Sequence, residues 1–469
     1  MNTGMKKHII YPLLALLAIP FLLTSCKDDD EETELSDDCY ISSLSLGVLK
    51  RIVYTKSSQG EDSTYVVTFS GSSYEMSIDQ RNLTIENPDS LPIHTRVSAA
   101  LLNVGFEGVL AWRVAGTEDS WTTFSRSDSL DFTKPLELCV WAAGGSSSQT
   151  YTLKVNVHQQ KGDSTIWNNI GEAAALNGIS ERKAIVWNDQ LVVLGKNSGN
   201  TLTYIQHPTA TSGEWVSVAT TGTDNAEPST IQKMGENRLY MSTSDGCILT
   251  STNAVDWSDA GYPTMAGLTL AGASDDNLYA LCNEKLYRSN GGEWTEEKLD
   301  DDNKYLPTGN LNSVYYTMTN GDKRLILVGR CNETDPATAI VWAKTWSSDE
   351  EQTTTWMYYT PNEADKYRCP MLENLCVVYY DNGLQALGGK SYDGRYAAMD
   401  SIFHSRDHGI AWRTYVNKDM NVDSQLKADA KSAQYITATV DDQQFLWVVL
   451  DDKVWRGRIN RLGFARKDR

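Results

Sequence analysis

At 469 residues the chain is long enough for two or three domains, and a hydrophobic content of 41% supports sizeable cores. Its formal charge of −19, from 61 acidic against 42 basic side chains, excludes a nucleic-acid partner and an electrostatic hold on anionic lipid, since both need a basic face. The histidines and cysteines show no paired ligand spacing, so neither a metal site nor a cofactor is expected.

The N-terminus is organised as an address. Lys6, Lys7 and His8 form a basic head, residues 9–23 an apolar run containing Pro12 and Pro20, and Leu23-Thr24-Ser25-Cys26 a processing site. The apolar run is too short and wrongly flanked for a permanent membrane helix. Residues 1–25 resemble a bacterial lipoprotein signal peptide, which implies acylation of the Cys26 thiol and a membrane partner reached through that lipid. Residues 26–37 follow as an acidic tether, with Lys-Asp-Asp-Asp-Glu-Glu over 27–32, a run that stays solvated. The run resembles the export signal of Bacteroidetes-type surface lipoproteins, which implies an outer-membrane location facing the cell exterior.

From 38 to 158 short runs alternate apolar and polar residues between turn signals, which is strand behaviour. The clearest hairpin leads from Leu136 through Gly144-Gly145 to Tyr151, Leu153, Val155 and Val157, four residues expected on one face. About 120 residues of short strands without a helical stretch point to an Ig-like β-sandwich. Trp112 and Trp141 fall inside strand patterns and read as core in preference to a sugar platform with Trp121.

Of the eight cysteines, seven follow Cys26, so at least one is unpaired within a monomer. Cys39 with Cys139 could staple the first domain, and Cys369 with Cys376 could close a short loop; spacing does not decide either pairing. Cys247 and Cys282 read as small buried thiols inside strands.

A polar link over 159–164 leads into residues 165–469, where the dominant feature is self-similarity. Six units each begin with an apolar strand at Ala184, Thr230, Leu268, Ser313, Leu375 or Tyr435. A turn such as Asn188-Asp189, Asp381-Asn382-Gly383 or Asp441-Asp442 follows, and then a second apolar strand. Tryptophans 215, 257, 294, 356 and 412 open the fourth strand of a unit, but the last unit ends without one. Ile166-Trp167-Asn168 stands ahead of the first unit with no inner strands of its own. The expected solution is an N-terminal strand that completes the last sheet, because an open seam in a radial array leaves sheet faces bare. The fold class expected is therefore all-β, an Ig-like β-sandwich followed by a six-bladed β-propeller closed through Trp167.

Ser405, Asp407, Gly409 and Trp412 stand at the spacing Ser-x-Asp-x-Gly-x-x-Trp, in which the carboxylate can accept turn N–H groups and the glycine can take a positive φ. Shortened variants lie at Ser251-Thr252-Asn253, at Ser289-Asn290-Gly291 and, weaker still, at Ser212-Gly213-Glu214. The full stretch resembles the Asp-box turns of sialidase-like propellers. That resemblance raises a sialidase or other glycoside-active enzyme as an alternative, but the Arg-Ile-Pro signature is absent and Arg330, Arg368 and Arg395 do not match the family positions. No catalytic residue is assigned.

The longest insertions fall at residues 330–339, 361–374 and 389–400, which connectivity places on one face of the ring. They carry Arg330, Tyr367, Arg368, Tyr392, Asp393, Arg395 and Tyr396, rich in the types enriched at recognition surfaces. The expected ligand-binding set is Arg330, Tyr367, Arg368, Tyr392, Arg395 and Tyr396, with a glycan or a surface protein as partner. As a whole, signal, tether, spacer and propeller resemble an uncharacterised family of Bacteroidetes surface lipoproteins. The resemblance implies a surface-displayed, non-enzymatic binding module.

Overall fold

The computed structural model describes residues 36–59, 61–198, 200–206, 215–347, 350–361 and 367–464. The expected signal peptide, Cys26 and the Ser212-Gly213-Glu214 variant lie outside them. The chain divides into two compact units: residues 1–50, 68–87 and 96–155 in one, and 51–67, 88–95 and 156–469 in the other.

In the first unit Tyr40–Leu46, Ala100–Glu107 and Ser129–Leu130 form one three-stranded sheet. A second, six-stranded sheet runs Ser77–Asp79, Thr84–Glu86, Ser148–Lys154, Leu136–Trp141, Val109–Val114 and Thr122–Thr123. The hairpin expected at 136–157 forms with Leu138 opposite Tyr151 and Leu136 opposite Leu153. Tyr151 and Leu153 are fully buried, but the strand stops at Lys154 and leaves Val155 and Val157 only partly covered. Trp112 and Trp141 are half-buried; Trp141 meets Trp121 edge to face at 5.5 Å, and the Arg113 guanidinium covers Trp121 at 4.4 Å. Those rings therefore cap a sheet face, neither sealed in a core nor free as a platform.

The second unit contains six four-stranded antiparallel sheets. The first holds Ser180–Trp187, Gln190–Asn197, Asn200–Gln206 and Val216–Ala219, and the second Gln232–Met234, Arg238–Ser242, Ile248–Ser251 and Ser258–Asp259. Thr269–Ala273, Leu278–Cys282, Lys285–Ser289 and Thr295–Glu296 make the third; Gly309–Thr317, Lys323–Arg330, Ile340–Trp346 and Met357–Tyr359 the fourth. Cys376–Tyr380, Gly383–Leu387, Phe403–Ser405 and Arg413–Thr414 make the fifth. The sixth takes Thr437–Val440, Leu446–Val449 and Lys453–Ile459 from the C-terminal end, and Thr165–Glu172 from the start of the unit completes it.

Alternation places one apolar face of each sheet against the next. Leu239 and Met241 pack on Val192 and Leu194 between the first and second sheets. Leu270 and Ala280 meet Tyr240 and Ile248 between the second and third, and Trp342 and Trp356 meet Tyr279 between the third and fourth. The cycle continues with Val314 and Leu384, then with Tyr380 and Trp455, and returns to the first sheet where Trp447 and Val449 meet Leu191 and Val193. Every sheet thus has both faces covered, and the sixth contacts the first as the others contact their neighbours.

The turns follow the local sequence. Asn188 and Asp189 both take positive φ, as do Asp381 and Asn382, the signature of two-residue hairpin turns whose twist matches the flanking strands. At residues 405–412 Ser405 Oγ donates to Asp407 Oδ1, Gly409 N donates to Ser405 Oγ and Ala411 N to Asp407 Oδ1. Gly409 has φ 103°, and Trp412, 2% exposed, donates its indole N–H to Gly409 O. At 251–257 Asn253 replaces the aspartate: its Oδ1 accepts from Val255 N and Asp256 N, and Ser251 Oγ accepts from Ala254 N. A further Ser-x-Asp turn holds 391–396, where Ser391 Oγ donates to Asp393 Oδ1 and accepts from Tyr396 N.

All seven described cysteines are free thiols, so neither Cys39 with Cys139 nor Cys369 with Cys376 is bridged. Cys282 is buried as expected. Cys247 is not inside a strand; it stands just before Ile248–Ser251 and is half-exposed.

Candidate functional site

The six innermost strands begin at the same end of the unit, and there they surround a cavity of about 740 Å³, within the size range of small-molecule sites. Every sheet contributes: Lys183 from the first, Gln232 from the second, Thr269 from the third, Asn310 and Ser313 from the fourth, Cys376 from the fifth and Thr437 from the sixth. The strands are splayed rather than hydrogen-bonded to one another, so side-chain bonds tie them. Asn312 donates to Leu375 O and accepts from Val377 N, joining the fourth sheet to the fifth. Thr437 Oγ1 accepts from Ala184 N, joining the sixth to the first, and Ser313 Oγ donates to Gln232 Oε1 at 2.6 Å across the ring.

Hydroxyls and amides are the commonest polar groups of a lining that also carries apolar side chains and several charges. Arg182 is buried and committed: its guanidinium donates to Asp451 O and Asp451 Oδ1 and lies 5.0 Å from the Tyr435 ring. Lys183 differs. Among the described residues its Nζ has no hydrogen-bond or ion-pair partner, and desolvation pushes its pKa down to about 8. Cys376 faces it from the fifth sheet, and burial pushes that thiol up to about 11. Glu227, Glu284 and Glu333 stand around the mouth, outside the ion pairs formed by the described residues.

The three long loops come together beside this mouth. Ala339 N donates to Cys369 O and Met371 N to Ala337 O; Tyr392 N then donates to Met371 O and Glu373 N to Lys390 O. Arg368 pairs with Asp335 at 3.0 Å, an ion pair between two of the loops. The laced loops meet the cavity where Asn332 and Asn374 line it.

The expected ligand-binding residues divide accordingly. Tyr392, 46% exposed, reaches the rim, where its hydroxyl accepts from Asn310 Nδ2 at 3.4 Å. Arg330 is half-buried beside Gly309, next to the lining. Arg395 turns back on Asp393 at 3.3 Å, and Tyr396 packs edge to face on Phe403. Tyr367 lies under the Arg413 guanidinium at 4.4 Å, away from the mouth. The structure therefore laces the loops together without converging their arginines.

Sequence reasoning missed Lys183, Gln232, Asn310 and Thr437. They sit in innermost strands, where a polar residue among apolar ones looks like a strand-edge accident; a signal existed in the polar residues near the start of five of the six inner strands.

No group of three or more His, Cys, Asp or Glu side chains suited to a metal occurs among the described residues.

Two family models cover the chain: the DUF6242 beta propeller domain matches residues 161–467, and the domain of unknown function (DUF6242) N-terminal domain matches residues 44–155. No curated protein matches. Among solved structures, a DUF4623 family protein from Bacteroides eggerthii aligns over 90% of this chain and 98% of its own, at 12% identity and TM-score 0.23. The NanB sialidase from Streptococcus pneumoniae aligns over 90% and 94%, at 8% identity and TM-score 0.36. The α-L-arabinofuranosidase Arb93a from Fusarium graminearum aligns over 63% and 96%, at 10% identity and TM-score 0.37.

Proposed function

The chain belongs to the DUF6242 family, a β-propeller family of unknown function, and we propose that it is a surface-anchored binding protein whose central cavity takes a small polar ligand of glycan type. The six sheets are the blades of a closed six-bladed ring, Ser405 to Trp412 is its Asp-box turn, and the first unit is an Ig-like spacer. The lipid on Cys26 holds the protein to the outer membrane, facing outward, as in Bacteroidetes lipoproteins.

The observation that carries the reading is the composition of the cavity wall. All six inner strands converge on a space of about 740 Å³ lined by hydroxyls and amides together with the Lys183 ammonium and a few carboxylates. Such donors and acceptors suit sugar hydroxyls, and the exposed Tyr392 ring at the rim offers a stacking face. Binding is favoured over sialidase chemistry because the one arginine in the lining, Arg182, is spent on Asp451, and Arg368 and Arg395 are spent on Asp335 and Asp393.

The experiment is a glycan array probed with the full-length chain and with Ser229→Trp, a substitution at the exposed cavity mouth. Retention of a glycan by the wild type and its loss in the variant supports the site; retention unchanged by the tryptophan rejects it. Radiolabelled fatty-acid incorporation in the wild type and not in Cys26→Ser tests the anchor.

A further inference from the structure

An unpartnered ammonium in a partly desolvated cavity costs folding free energy, because desolvation is not repaid by a counter-charge. Lys183 is such a group. It sits on the innermost strand of the first sheet, where the register with Leu194 follows a bulge after Ser180. It lines the cavity, and its neighbours there are neutral: Thr437 and Ala438 on the sixth sheet and the protonated Cys376 thiol on the fifth. The adjacent Arg182 has its carboxylate in Asp451, and Glu181, one residue before it, turns out to Lys196 at 2.5 Å. The chain therefore pairs the two charged residues that precede Lys183 and leaves Lys183 itself open to the cavity.

We infer that Lys183 is the anchor for the carboxylate of a singly charged acidic ligand, such as a uronic acid, seated in the central cavity. The inference rests on the cavity being the binding site. One ammonium matches one carboxylate, forming a charge-assisted hydrogen bond stronger than a neutral one. The sugar body would then lie against the hydroxyls and amides of Gln232, Thr269 and Asn310. Glu227, Glu284 and Glu333 around the mouth sharpen the choice. Their charges oppose entry of multiply charged anions such as phosphorylated or polysulfated sugars, while a monoanion gains more at Lys183, which it contacts directly, than it loses at the solvated rim.

The test is calorimetric titration of the full-length chain with galacturonic acid, galactose and galactose 6-phosphate, on the wild type, Lys183→Met, Lys183→Arg and Ser229→Trp. The inference predicts that galacturonic acid binds at least about tenfold tighter than galactose and than galactose 6-phosphate. It predicts that Lys183→Met erases that preference and leaves galactose binding in place, with Lys183→Arg keeping part of the preference. Equal binding of acid and neutral sugar, tighter binding of the phosphate, binding of none of the three at millimolar concentration, or a preference that survives Lys183→Met overturns it. Ser229→Trp separates the two layers: sugars that still bind with the mouth filled overturn the cavity reading itself, whereas sugars that need an open mouth but show no acid preference overturn only the role of Lys183. A cooperative thermal melt of each variant at or above the wild-type temperature distinguishes lost binding from lost folding.

Discussion

The indole of Trp167 covers the backbone of Gly457, its register partner on the neighbouring strand. A Cβ at 457 would stand 2.5 Å from the Trp167 ring, so the glycine is what lets the first strand of the unit lie down on the last. The strand that arrives earliest in synthesis thus closes the sheet that is made latest.

Gly457→Ala is accordingly expected to destabilise the second unit by about 1–3 kcal/mol through overpacking. Trp167→Ala in the same chain should recover part of that loss. Denaturant unfolding of the single and double variants measures the coupling; additive effects would show that the ring and the glycine do not touch in solution.

The third and fourth sheets share a buried ionic network. Lys344, 0% exposed, pairs with Glu297, which also accepts from Arg288 and from the Trp356 indole at 2.9 Å, while Glu351 accepts from Tyr279 and Asn277. Lys344→Met removes one of the two cations on Glu297 and leaves Arg288 and the Trp356 indole, and is expected to cost about 1–3 kcal/mol. Lys344→Met with Glu297→Gln should be less damaging than Lys344→Met alone, read from the denaturation midpoints.

Lys183 should also be visible in the pH dependence of stability. Its folded pKa, about 8, lies below the ordinary lysine value of 10.5 because of desolvation. Between those values the unfolded chain holds a proton that the folded chain has lost, so stability rises with pH across that window. The penalty is fully present below about 8. Lys183→Met should therefore stabilise the ligand-free protein at pH 7, by about 1–2 kcal/mol once the water in the open cavity is counted, with the advantage fading toward pH 10.5. Thermal melts of both proteins at pH 7 and pH 10 check this.

Asp407→Ala removes acceptors for Ser405 Oγ and Ala411 N and is expected to cost about 1–2 kcal/mol. Asp407→Asn should cost much less, because Asn253 already performs the equivalent work in the second sheet through one oxygen. Differential scanning calorimetry of the two variants separates charge from geometry.

How much was legible in the sequence depended on whether local chemistry or long-range packing decides a feature. The turns at Asn188-Asp189 and Asp381-Asn382 and the Ser405 to Trp412 loop could be read because side chain and backbone satisfy each other within a few residues. The partner of residues 165–172 could be read because the last repeat lacked its fourth strand. Five tryptophans sit just before short outer strands, but Trp167 is the third residue of an eight-residue one, so the repeat equivalence is loose at the seam. The helix Ser424–Ser432 went unread, although Asp423 caps it by accepting from Gln425 N and Leu426 N. Its interruption of a strand repeat masked an ordinary start signal. The cavity was the least legible feature, because Lys183, Gln232 and Thr437 are far apart in sequence and become neighbours only when the sheets close.

The most direct measurement is retention of glycans by the full-length protein with its cavity mouth open or filled. Wild-type chain should hold at least one sugar ligand that Ser229→Trp, melting at the same temperature, no longer holds. A ligand held equally by both proteins, or none held by either, contradicts a binding site at the centre of the ring.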